Sequence, residues 1–350
     1  MSRLNYIASA AFRRRPQARN FRSESALDAL QSFIDDDDDN PNKTLVLYNY
    51  PSFSGAYAAL FAHRRLPSAL ILPFSSVEPL RIEDFEFGGG LKNCYLLDFI
   101  GPKNFALELS QIIPRVIAFD HRESSAMRIK QLRMIPGNLE LHVDTSICSV
   151  RAVHDYFSKG GVELFDDEDG CQVSNVLRYI EDLDLRRFEL CDIEAFKIGI
   201  REEMGRLNCV TNPSVFEQLM KLDCDELIAK GKSYVNSRQD AANELLGKTF
   251  RIRLGRGTYG ECLATRADGN SNLSHEMCLE LSRRSEAAGL RPIGAAIFMQ
   301  RNKNLKMRLR SINGAADTSE IARAYGGGGK PSSSSFIIRM DEYNHWTAAN

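Results

Sequence analysis

Nowhere does the chain hold the roughly 18 to 20 consecutive apolar residues of a bilayer-spanning helix, which excludes such a helix at the outset. It also lacks an excess of either charge: 45 Lys or Arg stand against 46 Asp or Glu in 350 residues, a formal net charge of −1. That balance excludes a polybasic or acidic binder built on whole-chain charge, though not a local charged patch. The eight cysteines include no CxxC pair. Neither a disulfide framework nor a cysteine zinc site is therefore expected, and reduced buried thiols are. Ser54 precedes Gly55 without the GxSxG frame of a nucleophile elbow. What is present, 43% hydrophobic and 26% charged residues, is an ordinary globular composition, long enough for two domains.

Charge is unevenly distributed along the chain. Up to Ser23 it carries Arg3, Arg13, Arg14, Arg15, Arg19 and Arg22, with no acid before Glu24. Arginine-rich, serine-containing, acid-free leaders have the composition of organelle transit peptides, and the arginine density favours the mitochondrion over the chloroplast. A basic tail on a cytoplasmic protein is the plainer alternative. Asp35 to Asp39 read as an acidic linker, so residues 1–42 are expected to be leader and linker, with folded structure from Lys43. Between Lys248 and Arg339, 16 Lys or Arg face 7 Asp or Glu, a balance of +9 that the remainder must offset. A basic domain facing an acidic one suits closure on an anionic ligand; a solvated basic face explains the count equally well.

From Lys43 short apolar runs alternate with helical patterns. Thr44 to Tyr50, Ala69 to Phe74, Cys94 to Phe99 and Arg115 to Asp120 read as strands, with one more ending at Val143. Gly55 to Arg65, Pro102 to Ile112 and Ser124 to Met134 read as helices, as does a segment running through His154 to Phe157. This alternation predicts an α/β fold with a parallel, doubly wound sheet over residues 43–170. Strand signals vanish over 171–247, which predicts a helical connector. They return over 248–346 as a second, smaller α/β domain, with helices at Ser274 to Ala288 and Thr318 to Ala324. Gly255, Gly257 and Gly260 imitate a GxGxxG fingerprint, but strands flank them on both sides, which predicts a hairpin. Tyr343 and Trp346 are expected to pack the C-terminal tail.

In a doubly wound sheet, ligands bind beyond the carboxyl ends of the strands. Those ends carry Asn49 and Ser54, then Asp98, then Asp120 and His121. Carboxylates and an imidazole there suit a divalent cation such as manganese.

The same residues carry a resemblance. Tyr48 to His63 (YNYPSFSGAYAALFAH) resembles the first motif of the DHH phosphoesterase family. Leu96 to Pro102 resembles the second, Ala118 to Ser124 (AFDHRES) the namesake motif, and Tyr179 to Leu185 the fourth. Asp317 to Phe336, with GGGGK, resembles the glycine loop of the DHH-associated C-terminal domain of plant-type members. The resemblance implies hydrolysis of phosphoester bonds by two divalent metals, commonly manganese, with the glycine loop gripping the substrate.

The departures from the motifs carry the most information. Asn49 and Ser54 stand where the first motif has ligands, Arg122 replaces the second histidine of the namesake motif, and Lys330 replaces the histidine of the glycine loop. Retained are Asp98, His121 and Asp182, the last as the fourth-motif carboxylate, as metal ligands, and Asp120 with His121 as the catalytic pair. An amide and a hydroxyl are weak metal ligands, and Arg122 is a permanent cation. The expectation is a degenerate phosphoesterase-like protein holding a nucleotide or short single-stranded nucleic acid between its domains, with hydrolysis impaired or lost. Arg122, Gly326, Gly327, Gly328, Gly329 and Lys330 would bind phosphate. One divalent cation, manganese or magnesium, or none would remain. Two other readings stay open: an active manganese-dependent phosphodiesterase on oligonucleotides, and a structural subunit of an organellar complex or homo-oligomer.

Overall fold

The computed structural model describes residues 24–35, 43–77, 79–85, 90–300, 302 and 304–347. The arginine-rich leader up to Ser23 and the acidic run beyond Asp35 lie outside them. Folded structure nevertheless starts before Lys43. Helix α1 (Glu24–Asp35) buries Ala26 and Leu30 in the core of the first sheet. Lys43 Nζ donates to the carbonyls of Phe33 (3.0 Å) and Ile34 (3.1 Å) near the end of that helix. Asp35 closes α1, accepting from Gln31 Nε2 at 2.7 Å, and is not linker. Ala26, Leu27, Leu30, Phe33 and Ile34 have helical spacing, a signal that the flanking charges mask in the composition.

Five parallel strands follow: β1 (Lys43–Asn49), β2 (Leu70–Phe74), β3 (Leu91–Leu97), β4 (Arg115–Asp120) and β5 (Leu139–Val143), ordered β2-β1-β3-β4-β5. Between and after them run α2 (Phe53–Arg65), α3 (Phe105–Ile112), α4 (Glu123–Lys130) and α5 (Ser149–Phe157). The middles of β1, β3 and β4 are apolar because both faces are covered there. Leu45, Leu47, Cys94 and Leu96 enter the core on one side, Val46, Tyr48, Tyr95 and Leu97 that on the other. This is the expected doubly wound α/β fold.

The helical segment is not a free connector. Helices α6 (Asp167–Asp184), α7 (Ile193–Arg201) and α8 (Val215–Met220) and the start of α9 (Cys224–Leu245) complete the core over the Val46 face, through Val176, Phe196, Leu219 and Leu227. Tyr48 and Tyr57 donate their hydroxyls to the carbonyls of Leu207 (2.6 Å) and Leu219 (2.8 Å). A Cβ at Gly199 would overlap the Leu227 carbonyl oxygen, and one at Gly231 that of Ala195. The boundary between the two compact units falls inside α9, between Gly231 and Lys232, and not at residue 171 or 248.

The second unit is built on a mixed six-stranded sheet, β10-β11-β9-β8-β7-β6. Its strands are β6 (Phe250–Arg253), β7 (Glu261–Arg266), β8 (Ile293–Met299), β9 (Asn304–Ser311), β10 (Gly328–Lys330) and β11 (Ser333–Arg339). Within this sheet, among the described residues, only β7 and β8 pair in parallel. Helix α10 (Ser274–Ala287) joins β7 to β8, α11 (Thr318–Ala324) precedes β10, and α12 (Met340–Thr347) follows β11. The loop with Gly255, Gly257 and Gly260 connects antiparallel β6 and β7, as a hairpin should. Tyr343 and Trp346 do more than pack a tail: they lie on α12 and enter the core of this unit, Trp346 fully buried. None of the described helices is long and apolar enough to cross a membrane. All eight cysteines are free.

Candidate functional site

Register alone assembles the centre of the site. Tyr48 pairs with Leu97, and Leu97 with Phe119. One residue further along, Asn49, Asp98 and Asp120 therefore stand side by side at the carboxyl edge. The strand order reverses between β1 and β3, so this is also the switch point where open α/β sheets form crevices. Helix α2 is pressed against it: a Cβ at Gly55 would overlap the Asn49 carbonyl oxygen.

Asp98 is the hub. It is fully buried and adopts φ +65°, a left-handed conformation that aspartate tolerates better than most residues. Its Oδ2 accepts from Asn49 Nδ2 (2.9 Å), Ser52 Oγ (2.7 Å) and Arg122 Nη2 (3.2 Å). Ser52 Oγ also accepts from Gly55 N at 3.2 Å, so the N-cap of α2 and the buried carboxylate share one hydroxyl. Arg122 Nη1 donates to the Asp98 carbonyl (2.6 Å) and to Asp120 Oδ1 (2.8 Å). Asp120 Oδ1 further accepts from the amides of His121 (2.8 Å) and Arg122 (3.1 Å), and its Oδ2 from Ser125 Oγ at 2.6 Å. His121 Nδ1 lies 2.7 Å from Ser149 Oγ and 3.4 Å from Asp98 Oδ1.

Burial alone would raise the pKa of Asp98. The His121 imidazole 3.4 Å from Oδ1, the charge of Arg122 and the bonds from Asn49 and Ser52 reverse this and hold it below the carboxylate range. For His121 burial pulls downward, and Asp98 and then Asp184 outweigh it, so its pKa is raised. A histidine raised on folding adds stability below its unfolded pKa, about 6.5, and loses it as pH climbs through the folded value. Thermal unfolding across pH 6 to 9 should therefore show wild type losing stability above pH 6.5 relative to His121→Gln. A difference that is constant with pH would refute this assignment.

Three of the residues named as donors come together. Asp98, Asp120 and His121 form the one group of His, Cys, Asp or Glu, among the described residues, whose ligand atoms lie within 4.8 Å of one another. Asp98 Oδ1 is buried without a hydrogen-bond partner, as a metal ligand stripped of its ion would be. The other oxygens do not fit an ion: Arg122 holds Asp98 Oδ2 and Asp120 Oδ1, and Ser125 holds Asp120 Oδ2. With the guanidinium seated between the carboxylates, a second cation there would face direct repulsion.

Two sequence assignments need correction. Asp182 is not part of this group: both its oxygens accept from Glu189 N at 3.1 Å, and Oδ2 also from Leu190 N at 3.3 Å, capping the chain after α6. The carboxylate that reaches the site is Asp184, two residues on and so on another face of the helix. Asp184 accepts from Ser54 Oγ in a short bond and lies 3.9 Å from Cys148 Sγ. Burial, then the Asp98 charge, raises its pKa. Ser54 is thus a buried donor to Asp184. Arg122, read as a phosphate binder, spends its donors on the protein's own oxygens. Ser52, Ser125, Ser149 and Asp184 were missed; single polar residues near glycine or helix starts carry no distinguishing pattern.

The glycine loop in the second unit divides in two. Gly326 (φ +71°) and Gly327 donate their amides to Arg323 O (3.1 Å) and Ala322 O (2.8 Å), closing α11 in the two-bond pattern of a glycine-terminated helix. Those two amides are consequently not available to phosphate. Gly328 and Gly329 instead line a concavity of about 280 Å³ with Ser274, Arg308, Arg310 and Ser333 to Ser335. Lys330, Ser333 and Arg310 are cross-strand neighbours in register, as are Gly328, Ser335 and Arg308, which puts each set on one face. Arg308 is tied to Ser271 O at 2.8 Å and to Ser274 Oγ. The side chains of Arg310 and Lys330 make no hydrogen bond or ion pair among the described residues. The signal for this face was legible in β9, where Leu305, Met307 and Leu309 alternate with Lys306, Arg308 and Arg310.

No protein-family profile and no curated protein matches the chain. Several solved structures do. An uncharacterised Helicobacter pylori protein shares 13% identity over 85% of this chain and 93% of its own, at a TM-score of 0.39. A pGpG-specific phosphodiesterase, PggH from Vibrio cholerae, shares 11% over 86% and 95%, at 0.36. RecJ from Thermus thermophilus, solved in complex with Mn2+, shares 13% over 94% of this chain and 54% of its own, at 0.32. Likeness at this level carries no functional argument, and the reading that follows rests on the chain's own residues.

Proposed function

We propose that the chain is a DHH-type phosphoesterase scaffold that binds a nucleotide or short single-stranded nucleic acid and no longer hydrolyses it. One observation carries the loss of hydrolysis: the guanidinium of Arg122 bridges Asp98 and Asp120, the two carboxylates that metal-assisted chemistry would need free. Asn49 and Ser54 add to it, since each donates a hydrogen bond to a carboxylate instead of offering a charged ligand. Ligand binding is supported by the basic, serine-lined concavity beside Gly328 and Gly329, where Arg310 has positive charge to spare, and by Lys330, the cross-strand neighbour of Ser333. Glycine there lets a phosphate approach the backbone. The proximity of Asp98, Asp120 and His121 favours a second reading, an active manganese-dependent phosphodiesterase.

A short fluorescent oligonucleotide titrated at several salt concentrations separates the readings. Binding should weaken linearly in log affinity against log salt, and no mononucleotide should be released in manganese. Arg310→Ala and Lys330→Ala should each weaken binding and flatten the salt slope by about 0.7, the share of one phosphate contact on a single strand. Absence of binding at low salt would remove the ligand proposal. Metal-stimulated release of mononucleotides, abolished by Asp98→Ala, would establish the second reading.

A further inference from the structure

We infer that Arg122 is the resident cation of the strand-end site, and that vacating it turns Asp98, Asp120 and His121 into a divalent-cation site. The inference concerns the first unit alone and does not depend on ligand binding by the second.

The site has the charge of a cation site. Two buried carboxylates converge there, Asp98 wholly inaccessible and Asp120 nearly so. Two such anions in one place need a positive partner. The Arg122 side chain supplies it with three donated bonds at 2.6 to 3.2 Å, to the Asp98 carbonyl, Asp98 Oδ2 and Asp120 Oδ1. A planar guanidinium suits two carboxylates held at fixed spacing by neighbouring strands.

The substitution is incomplete, and the remainder points to the ion it replaces. Asp98 Oδ1 lies in the same group, fully buried and without a hydrogen-bond partner. A guanidinium donates in one plane and does not reach that oxygen, which only the His121 imidazole faces, at 3.4 Å. A spherical cation would draw it in together with one oxygen of Asp120 and a nitrogen of His121, the mixed oxygen and imidazole set that suits manganese. While Arg122 is present its charge opposes any such ion, so the native chain should be indifferent to divalent metals.

Thermal unfolding of the full chain tests this in EDTA and in manganese chloride, for wild type, Arg122→Ala, Arg122→Gln and Arg122→Ala with Asp98→Asn. Wild type should melt at one temperature in both media. Arg122→Ala should melt several degrees lower in EDTA. It should recover by roughly 5 to 10 °C once manganese exceeds its Kd a hundredfold, as binding to the folded state alone requires. The double variant should not recover. Stabilisation of wild type by manganese would overturn the inference, as would folded Arg122 variants that ignore the ion. Should Arg122→Ala not fold in EDTA, Arg122→Gln keeps an amide donor at the same place. Recovery of soluble protein from denaturant is then compared with and without manganese. Recovery only with the ion supports the inference, and recovery in neither medium refutes it. Oligonucleotide binding by the same samples reports the function proposed above separately.

Discussion

Asp98→Ala is expected to cost the first unit about 3 kcal/mol. Three donors aim at one carboxylate oxygen: Asn49 Nδ2, Ser52 Oγ and Arg122 Nη2. Removing the acceptor leaves all three without it beneath the sheet edge. Breaking a buried ion pair from one side costs about 3 to 5 kcal/mol, because the surviving charge keeps its desolvation penalty. The Arg122 side chain is 38% exposed, so water recovers part of that penalty, and the lower figure applies. Asp98→Asn, which keeps an oxygen for one of the donors, should cost less. Urea unfolding followed by far-UV circular dichroism gives both values by linear extrapolation. A double-mutant cycle with Arg122→Ala should reveal coupling, since each residue removes the partner of the other. A loss below about 1 kcal/mol for Asp98→Ala would mean that the network does not hold the site together.

The second large effect lies in the other unit. Trp346→Ala should destabilise it by about 3 to 5 kcal/mol, the usual loss when a large buried aromatic is truncated. Trp346 is fully buried, its ring 5.2 Å from that of Tyr325 and 5.9 Å from that of Phe336. Its indole N–H donates to Glu342 Oε1 at 3.0 Å. Glu342 also receives Arg256 and Tyr325, and these bonds, that of Arg256 first, pull its pKa down to about 2. Truncation thus opens a cavity and removes one arm of a polar cluster that ties α12 to the β6–β7 loop. Because the chain has a single tryptophan, emission of wild type follows the unfolding of this unit alone, whereas circular dichroism follows both. Trp346→Phe should retain most of the stability. A cost for Trp346→Ala below about 1 kcal/mol would show that α12 frays from the sheet rather than completing it.

The sequence by itself determined the sheets. Apolar runs of five to seven residues, bounded by turn residues and separated by helical periodicity, place β1 to β4 within a few residues of where they form, and the strand ends then present Asn49, Asp98 and Asp120 together. Burial on both faces leaves strands no other composition, which is why this part of the fold is written locally. The identities of Asn49, Ser54 and Arg122 at the strand ends were equally legible, because they are read directly from the chain.

Tertiary structure decided the rest. Asp182 and Asp184 are alike in the sequence, and only the packing of α6 sends one to cap Glu189 and Leu190 and the other to Ser54. Helix α1 and the wall built by α6 to α8 and the start of α9 belong to the first unit because their apolar faces found partners far along the chain. The four glycines of GGGGK look uniform, yet two end α11 and two line a concavity, since α11 stops at Tyr325 and β10 starts at Gly328. Arg122 is the clearest case. A lone arginine promises a free cation for phosphate, and only the spacing of two neighbouring strands places two carboxylates within its reach and uses that charge inside the molecule.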